Sequence, residues 1–309
     1  MHLTSRLSRL AALALLVCGG TAQAQDRGSV NPKPLPPLSD PDAPSTPAKA
    51  LFGRATTPAP GPARPYGSYA KGCFSGGEAL PNDGPTWQVM RLSRNRMWGT
   101  PHLVDFIERL AAKAPSAGWK GLLVGDMSQP RGGPMLTGHA SHQLGLDADI
   151  WLTPMPDHRM TRAEREETSA TNVVRADRLD IDPQVWTPDH LNLIRLTAQQ
   201  PEVARIFVNP AIKKALCRQA GGDRSWLNKV RPMYGHNYHY HIRLSCPAGD
   251  DQCGDQAPPP SGDGCGEELA YWFSDAVLNP PKSTKPVRPK PPMTMAALPA
   301  ACRMVLKAR

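Results

Sequence analysis

Long apolar segments are missing from this 309-residue chain. The apolar run near its amino terminus, from Leu10 to Val17, falls well short of the roughly 20 residues that a membrane-spanning helix needs. Arg6 and Arg9 precede this run and Ala-Gln-Ala follows it at residues 22–24, which is the pattern of a cleaved secretory signal. We therefore predict a signal peptide over residues 1–24, a soluble exported protein and no membrane span.

Acidic residues are outnumbered, since the chain has 27 Asp and Glu against 36 Lys and Arg, a formal net charge of +9. A basic balance of this kind suits anionic polymers in general. The sequence has neither the aromatic strand motif of RNA-binding domains nor a basic helix, and an exported protein meets the cell envelope before it meets nucleic acid. The sequence thus predicts no nucleic-acid partner, and a solvated basic surface also accounts for the charge.

Common hydrolase motifs are absent as well. No histidine is followed by glutamate, which excludes the helical His-Glu-x-x-His zinc motif. Ser141 lacks the Gly-x-Ser-x-Gly elbow of serine hydrolases. The Ser-x-x-Lys pattern at residues 68–71 has no Lys-Thr-Gly partner, so we interpret it as a chance match. Any hydrolytic chemistry must therefore rest on other residues.

Cysteine usage points to disulfides. Once Cys18 leaves with the signal peptide, an even number remains: Cys73, Cys217, Cys246, Cys253, Cys265 and Cys302. In an exported chain such a set favours disulfides over catalytic thiols or a cysteine zinc site, because the compartment is oxidising. The spacing alone leaves the pairing open. A bridge from Cys73 to Cys302 would tie together the ends of nearly the whole folded region.

Proline-rich sequence divides the chain into segments. Residues 25–65 are crowded with Pro, Ala, Ser and Thr, and we predict that they form a disordered tether. A second Pro-rich segment covers residues 279–293. We predict one folded domain over residues 66–302, which includes that second segment, and a short tail over residues 303–309.

The domain shows the periodicities of both helices and strands. Helices are predicted over "LVDFIERLAAKA", over the segment that begins with Thr187 and Pro188, and from Pro210 to about Gly221. The segments "GLLVGD", "LDADIWL", "RIFVN" and "HYHIRLS" are typical of short strands. Together they predict an α+β fold in which a small antiparallel sheet is flanked by helices and loops and stapled by disulfides.

Histidines and aspartates gather in the stretch "GHASHQLGLDADIW", residues 138–151. Alternation along "LDADIWL" sends Asp147 and Asp149 to one face of the strand and the aliphatic residues to the other. In "HYHIRL" the same alternation places His239, His241 and Arg243 on one face. Two strands therefore each offer a polar face with side chains that bind metals.

A zinc site built from both strands satisfies these residues at once. His142, Asp149 and His241 supply two nitrogens and one oxygen and leave one tetrahedral position for water, as in catalytic zinc sites. His239 lies two residues before His241 on the same face, where it is placed to transfer a proton. We predict that His236 and His139 complete the cluster around the metal.

The strings "GGPMLTGHASHQLGLDADIWL", "RIFVNPAIKKALC", "HYHIRLSCP" and "PPSGDGCGEELAYWF" together closely resemble the penicillin-insensitive murein endopeptidase family. That family belongs to the wider group of lysostaphin-like, D-Ala-D-Ala-peptidase-like and hedgehog-like zinc folds, and the likeness covers about residues 66–302. The resemblance implies a periplasmic zinc hydrolase that cuts peptidoglycan crosslinks, chiefly D-alanyl to meso-diaminopimelyl bonds.

The resemblance also implies roles for individual residues. It implies zinc ligation by His142, Asp149 and His241 with His139 close by, and catalytic or substrate-orienting roles for His239 and His236. It implies disulfides that pair Cys73 with Cys302, Cys217 with Cys265, and Cys246 with Cys253.

We expect a murein endopeptidase that uses Zn²⁺, acts on crosslinked muropeptides and is insensitive to β-lactams, since no serine nucleophile takes part. One alternative is a D,D-carboxypeptidase of the same zinc fold, which would trim a terminal D-alanine. Another is a peptidoglycan-binding module without turnover, against which the retention of both His239 and His236 argues. A homodimer is compatible with the sequence, which does not fix the oligomeric state.

Overall fold

The structure, a computed structural model, describes residues 35–281 and 290–309. The predicted signal peptide, residues 25–34 of the predicted tether and residues 282–289 lie outside this described part. Its helices are α1 (Ala48–Phe52), α2 (Pro101–Lys113), α3 (Arg162–Glu167), α4 (Pro188–Ala198), α5 (Pro210–Gln219), α6 (Glu267–Tyr271), α7 (Asp275–Leu278) and α8 (Ala301–Lys307). Its strands are β1 (Arg64–Ser68), β2 (Lys71–Ser75), β3 (Glu78–Ala79), β4 (Asp83–Gly84), β5 (Trp87–Val89), β6 (Trp98–Gly99), β7 (Leu122–Val124), β8 (Asp147–Trp151), β9 (Val203–Val208), β10 (Val230–Pro232), β11 (His239–Leu244) and β12 (Cys253–Gly254).

The largest sheet has seven strands in the order β10-β9-β11-β8-β7-β5-β4. Its centre, β7-β8-β11-β9, is antiparallel throughout. Two further pairs, β10 with β9 and β5 with β7, are parallel. The α+β class is confirmed, but the prediction of a small antiparallel sheet is wrong because the sheet is larger and mixed. Parallel neighbours arise from crossovers, here through α5 and α2, and strand periodicity carries no information about such pairings.

Local sequence explains where the main helices begin. Thr100 caps α2 by accepting a hydrogen bond from the backbone N–H of Leu103, and Pro101 occupies the first helical position. Pro188 and Pro210 begin α4 and α5 in the same way. The apolar side of α2 is buried through Leu103, Phe106, Ile107 and Leu110. Among the described residues, no helix combines the length and the apolar character that crossing a membrane requires.

Three disulfides staple the fold, with the pairing implied by the resemblance. Cys73 in β2 is bonded to Cys302 in α8, 229 residues away in sequence. Cys217 in α5 is bonded to Cys265, and Cys246 is bonded to Cys253. The predicted staple between the two ends of the domain is thereby confirmed.

The described part of the Pro-rich amino-terminal segment, residues 35–65, contains a packed helix and so differs from the disordered tether predicted for residues 25–65. Helix α1 buries Ala48 and Phe52 in a small apolar cluster that also contains Cys73 and Cys302. Arg131 links this segment to the carboxy-terminal helix α8, since its guanidinium donates to the carbonyl oxygens of Thr57, Val305 and Leu306. The composition shows that this segment cannot fold alone, but here the carboxy-terminal helix supplies its packing partner.

Candidate metal centre and cleft

Strands β8 and β11 place the predicted site residues on one face of the sheet. In their antiparallel register Asp149 lies opposite His241, and Asp147 lies opposite Arg243. Directly opposed residues in such a pair point to the same side, so these four side chains are neighbours. The residues between them, among them Ile150, are fully buried in the main core on the other side. The predicted alternation of polar and aliphatic side chains along β8 and β11 therefore agrees with the structure.

The loop before β8 brings His142 back over the strand. His142 has a φ of +65°, in the left-handed region that glycine favours, and such strain tends to occur at functional sites. Its Nδ1 lies 2.5 Å from the carbonyl oxygen of Met127, and the hydroxyl of Ser128 donates to the carbonyl oxygen of His142. A proton on Nδ1 satisfies the Met127 contact and leaves Nε2 with a free lone pair.

Ligand-type atoms converge on one oxygen of Asp149. Its Oδ1 lies 3.4 Å from His142 Nε2 and 3.5 Å from His241 Nδ1. Ligand atoms around a tetrahedral zinc ion, with bonds of about 2.0–2.1 Å, are separated by about 3.3–3.4 Å. These two distances to Asp149 Oδ1 therefore match the spacing of atoms that share one small metal ion.

Burial supports a metal at this point. Within the described part of the chain, His142 Nε2 and Asp149 Oδ1 are both buried and make no hydrogen bond. Leaving two such atoms unsatisfied is costly unless a further group binds both. His139, His142 and Asp149 also form a group whose potential ligand atoms all lie within 4.8 Å of one another. The donor set fits a bound metal ion.

His139 contacts the other oxygen of the shared carboxylate. Its Nδ1 lies 3.5 Å from Asp149 Oδ2, and its Nε2 lies 3.0 Å from Asp126 Oδ2. The same oxygen of Asp126 accepts hydrogen bonds from Arg94 at 3.1 Å and from Arg96 at 2.8 Å. Burial disfavours the charged ring of His139, but the two carboxylates outweigh it and raise its pKa to about 9.

Asp126 is a site residue that sequence reasoning missed. It lies two residues after the end of the buried strand β7, which pairs with β8 in the sheet. An acid just after a strand that neighbours the aspartate-bearing strand β8 is the signal that could have found it. Its contacts with Arg94 and Arg96 carry no such signal, because these partners come from a separate turn of the chain.

Asp147 holds two of the predicted ligands in position. Its Oδ1 lies 2.9 Å from Arg243 Nε and 3.2 Å from His241 Nε2. Its Oδ2 lies 2.9 Å from the backbone nitrogen of His142 and 3.2 Å from Arg243 Nη2. Burial favours the neutral acid, but the charges of Arg243 and His241 outweigh it and hold the pKa of Asp147 well below its usual range. Carboxylates of this kind orient metal-binding histidines.

His239 and His236 lie beside this cluster. His239 Nε2 is 3.6 Å from Asp149 Oδ2, and its ring centre is 4.9 Å from that of His236. Burial lowers the pKa of His239 to about 3 despite the nearby carboxylate, so its ring is neutral at pH 7. Burial also lowers the pKa of His236, which has a left-handed φ of +51°. Both rings are therefore able to accept a proton.

The cluster lies at one side of a cleft of about 470 Å³. One wall carries Arg94 and Arg96, and another carries Tyr234 and Tyr238. A more apolar cavity of the same size, between residues 38–54 and 295–307, contains none of the predicted site residues. The structure brings all six of those residues together: His139, His142, Asp149, His236, His239 and His241. Four of them line the cleft, namely His139, Asp149, His236 and His239.

A histidine and carboxylate cluster that could hold a metal ion, beside an open cleft and with two further histidines next to it, is the arrangement of the class of metal-dependent hydrolases. The sequence model of the family described as "Penicillin-insensitive murein endopeptidase" matches residues 65–307. This chain belongs to that family and is a peptide hydrolase.

Relatives that carry the same name are similar over most of the chain. The penicillin-insensitive murein endopeptidase of Haemophilus influenzae is 48% identical over 248 residues, which cover 80% of this chain and 83% of that protein. The protein of that name from Klebsiella pneumoniae subsp. pneumoniae is 47% identical over 261 residues, covering 84% and 92%. The protein of that name from Escherichia coli O1:K1 is 46% identical over 261 residues, which cover 84% of this chain and 92% of that protein.

Proposed function

We propose that this chain is a zinc-dependent murein endopeptidase of the periplasm that hydrolyses peptide crosslinks of peptidoglycan, at D-alanyl to meso-diaminopimelyl bonds. One observation carries the proposal. Two buried ligand-type atoms without hydrogen-bond partners in the described chain, His142 Nε2 and Asp149 Oδ1, lie beside an open cleft in a member of this family.

The proposed ligands are His142 through Nε2, His241 through Nδ1 and Asp149 through Oδ1. Two imidazoles and one carboxylate suit zinc, and three protein ligands are typical of zinc sites that act in catalysis. His139 presents Nδ1 to the same carboxylate and, once this nitrogen has lost its proton, is the further donor of the set. Zn²⁺ bound here supplies a Lewis acid that polarises a peptide carbonyl and makes water nucleophilic at neutral pH.

The two remaining histidines move protons and stabilise charge in the proposed reaction. His239 is neutral and close to Asp149, so it can take a proton from the attacking water and later deliver it to the leaving amine. His236 Nδ1 lies 2.8 Å from the carbonyl oxygen of Tyr234 and donates to it, so the other nitrogen can accept a proton and, once protonated, donate to the oxyanion that develops at the scissile carbonyl.

Two observations support an oxidising extracytoplasmic location. The chain carries three disulfides, which persist in such compartments. Residues 1–24 have the pattern of a cleaved secretory signal. We therefore propose that the protein is exported through this signal and acts in the periplasm, where its polymeric substrate lies.

Hydrolysis of a defined crosslinked substrate tests the proposal. Purified mature protein is incubated with a crosslinked muropeptide dimer, with and without a chelator and with zinc added back. We expect monomers from the zinc-replete enzyme, none after chelation and recovery with zinc. His239→Ala should keep the metal and lose turnover, whereas His241→Ala should lose both. An intact dimer in the zinc-replete sample would refute the endopeptidase function, and full activity of His241→Ala would refute its role as a ligand.

The same assay separates the two alternatives. A D,D-carboxypeptidase would release free D-alanine and leave the crosslink in place, so its product differs in mass from that of an endopeptidase. A binding module would retain the muropeptide without any product. The presence of His239 and His236 beyond the proposed ligands favours turnover, because binding a structural metal needs neither of them.

A further inference from the structure

Exposed apolar side chains of the described part gather beside the cleft. Six large ones are exposed, namely Leu35, Leu179, Met233, Tyr234, Tyr271 and Met304. Four of these, Leu179, Met233, Tyr234 and Tyr271, belong to segments that contact one another, since Tyr234 donates to the carbonyl oxygen of Val277 and Arg178 donates to that of Leu278. Exposed apolar side chains grouped on neighbouring segments often mark a binding site.

Aromatic rings lead from the proposed catalytic histidines out to this surface. His236 lies 4.9 Å from His239, ring centre to ring centre, and its Nδ1 contacts the backbone of Tyr234. The ring of Tyr234 is 5.2 Å from that of Trp272, which is 6.2 Å from Tyr271. We name Tyr234, Trp272 and Tyr271 the aromatic platform. It is continuous with the cleft, because Tyr234 forms part of the cleft wall.

The aromatic platform is held in place although it is exposed. Tyr234 and Tyr271 are 51% and 63% exposed, so burial does not account for their positions. The hydroxyl of Tyr234 lies 2.6 Å from the carbonyl oxygen of Val277. Helix α6, which carries Tyr271, is anchored by the ion pair of Glu268 with Arg231 and follows the disulfide at Cys265. Rings fixed before binding lose little entropy when a ligand covers them.

The chemistry of the aromatic platform suits a sugar ring. Its three members are aromatic, and two of them carry hydroxyl groups. A pyranose presents an apolar C–H face that stacks on an aromatic ring and hydroxyl groups that bond to polar edges. Peptidoglycan carries such rings at a limited distance, since a stem of four residues reaches at most about 14 Å when extended.

We propose that the aromatic platform binds an amino-sugar ring of the glycan strand while the attached peptide lies in the cleft. The enzyme then binds crosslinked peptides that carry their sugars more tightly than the bare crosslinked peptide. This inference rests on the proposed hydrolysis of peptidoglycan crosslinks and assigns it a second point of substrate contact.

Two substrates and a small set of variants test the aromatic platform. One substrate is the crosslinked disaccharide-peptide dimer, and the other is the same dimer after an amidase has removed its sugars. We expect the wild type to have a KM lower by roughly fivefold for the sugar-bearing substrate, the size of an aromatic stacking contribution. Trp272→Ala should abolish this preference, because it should raise the KM for the sugar-bearing substrate and leave the KM for the bare dimer unchanged. Tyr271→Ala should reduce the preference. Trp272→Phe should restore most of it.

The control is Met304→Ala, which removes an exposed apolar side chain from α8 and should change neither KM. Equal KM values in the wild type would overturn the inference, as would a Trp272→Ala variant that loses both activities alike. Sedimentation of the protein gives a further test. If the wild-type protein is a homodimer and the Trp272→Ala variant is a monomer, the inference is overturned, because the platform would then be a subunit interface.

A binding measurement keeps this inference separate from the proposed function. Calorimetric titration of an uncrosslinked disaccharide-tetrapeptide needs no turnover. We expect affinity to fall roughly fivefold in Trp272→Ala, again the size of a stacking contribution. Lack of hydrolysis by the zinc-replete wild type would refute the proposed activity, whereas equal affinity of the two proteins would refute the platform.

Discussion

Replacing Asp147 by asparagine is the most informative single change that the metal centre offers. Asp147 is 1% exposed, and each of its oxygens accepts a hydrogen bond from Arg243. Oδ1 faces Arg243 Nε and His241 Nε2, and Oδ2 faces the backbone N–H of His142 and Arg243 Nη2. An asparagine side chain at this position would therefore direct its NH₂ group at an N–H donor of Arg243 in either orientation of the amide. No rotation of the side chain relieves this conflict.

The Asp147→Asn change should lower both stability and metal affinity. Removing one partner of a buried ion pair costs about 3–5 kcal/mol, and Arg243 would be left buried without its counterion. Loss of a carboxylate that orients a metal-binding histidine costs about 10–100-fold in metal affinity or activity. We expect unfolding at lower urea concentration and a zinc dissociation constant higher by that factor.

Urea unfolding of the metal-free protein and competition with a zinc-binding dye measure the two effects separately. The matched control is Glu166→Gln, since Glu166 is equally buried but accepts its hydrogen bonds from Ser93 at 2.6 and 2.8 Å, away from the cluster. The control should lose about 1 kcal/mol of stability and keep its zinc affinity. Unchanged zinc affinity in folded Asp147→Asn would refute the orienting role of Asp147.

Three further outcomes are expected. Burial raises the pKa of Asp126, but the hydrogen bond from His139 and the charges of Arg96 and Arg94 outweigh it and hold that pKa well below its usual range. Asp126 therefore contributes stability that is fully present above about pH 4, the unfolded value, and is lost as the pH falls below it. In urea unfolding, the free energy of unfolding of Asp126→Asn should lie below that of the wild type by less at pH 3 than at pH 6. An equal difference at the two pH values would contradict the ion pairs of Asp126 with Arg94 and Arg96. Replacing both Cys73 and Cys302 by serine should lower the free energy of unfolding by about 2–4 kcal/mol while zinc binding is kept, because neither cysteine contacts the metal cluster. Penicillin at concentrations that acylate a serine enzyme should leave muropeptide hydrolysis unchanged, and covalent labelling seen by mass spectrometry would contradict the metal mechanism.

Local sequence patterns were sufficient to predict much of the candidate site. Strand alternation placed His241 and Asp149 on polar faces, and the structure pairs these two residues directly across β8 and β11. The helices that begin at Pro188 and Pro210 were also predicted, because a proline at the first helical position is a local signal. The proposed roles of the individual histidines stay predictions until the assays above are done.

Contacts between segments that are distant in sequence could not be predicted from local patterns. Asp147 and Arg243 are 96 residues apart, and only the register of β8 with β11 makes them partners. Asp126 meets Arg94 and Arg96 because a loop and a strand end converge there, which no periodicity encodes. The parallel pairs of the sheet likewise depend on how the crossovers pack.

The sequence by itself determined the chemistry available to this protein: ligand-type side chains on two strands, an even set of cysteines and the helix starts. These features are local, because they follow from residue type and from the two-residue and 3.6-residue repeats of strands and helices. Only the tertiary structure decided which atoms share the oxygen of Asp149, which carboxylates orient the histidines, and that α1 packs against Cys302. Those choices depend on long-range register and on burial, which exist only once the chain has folded.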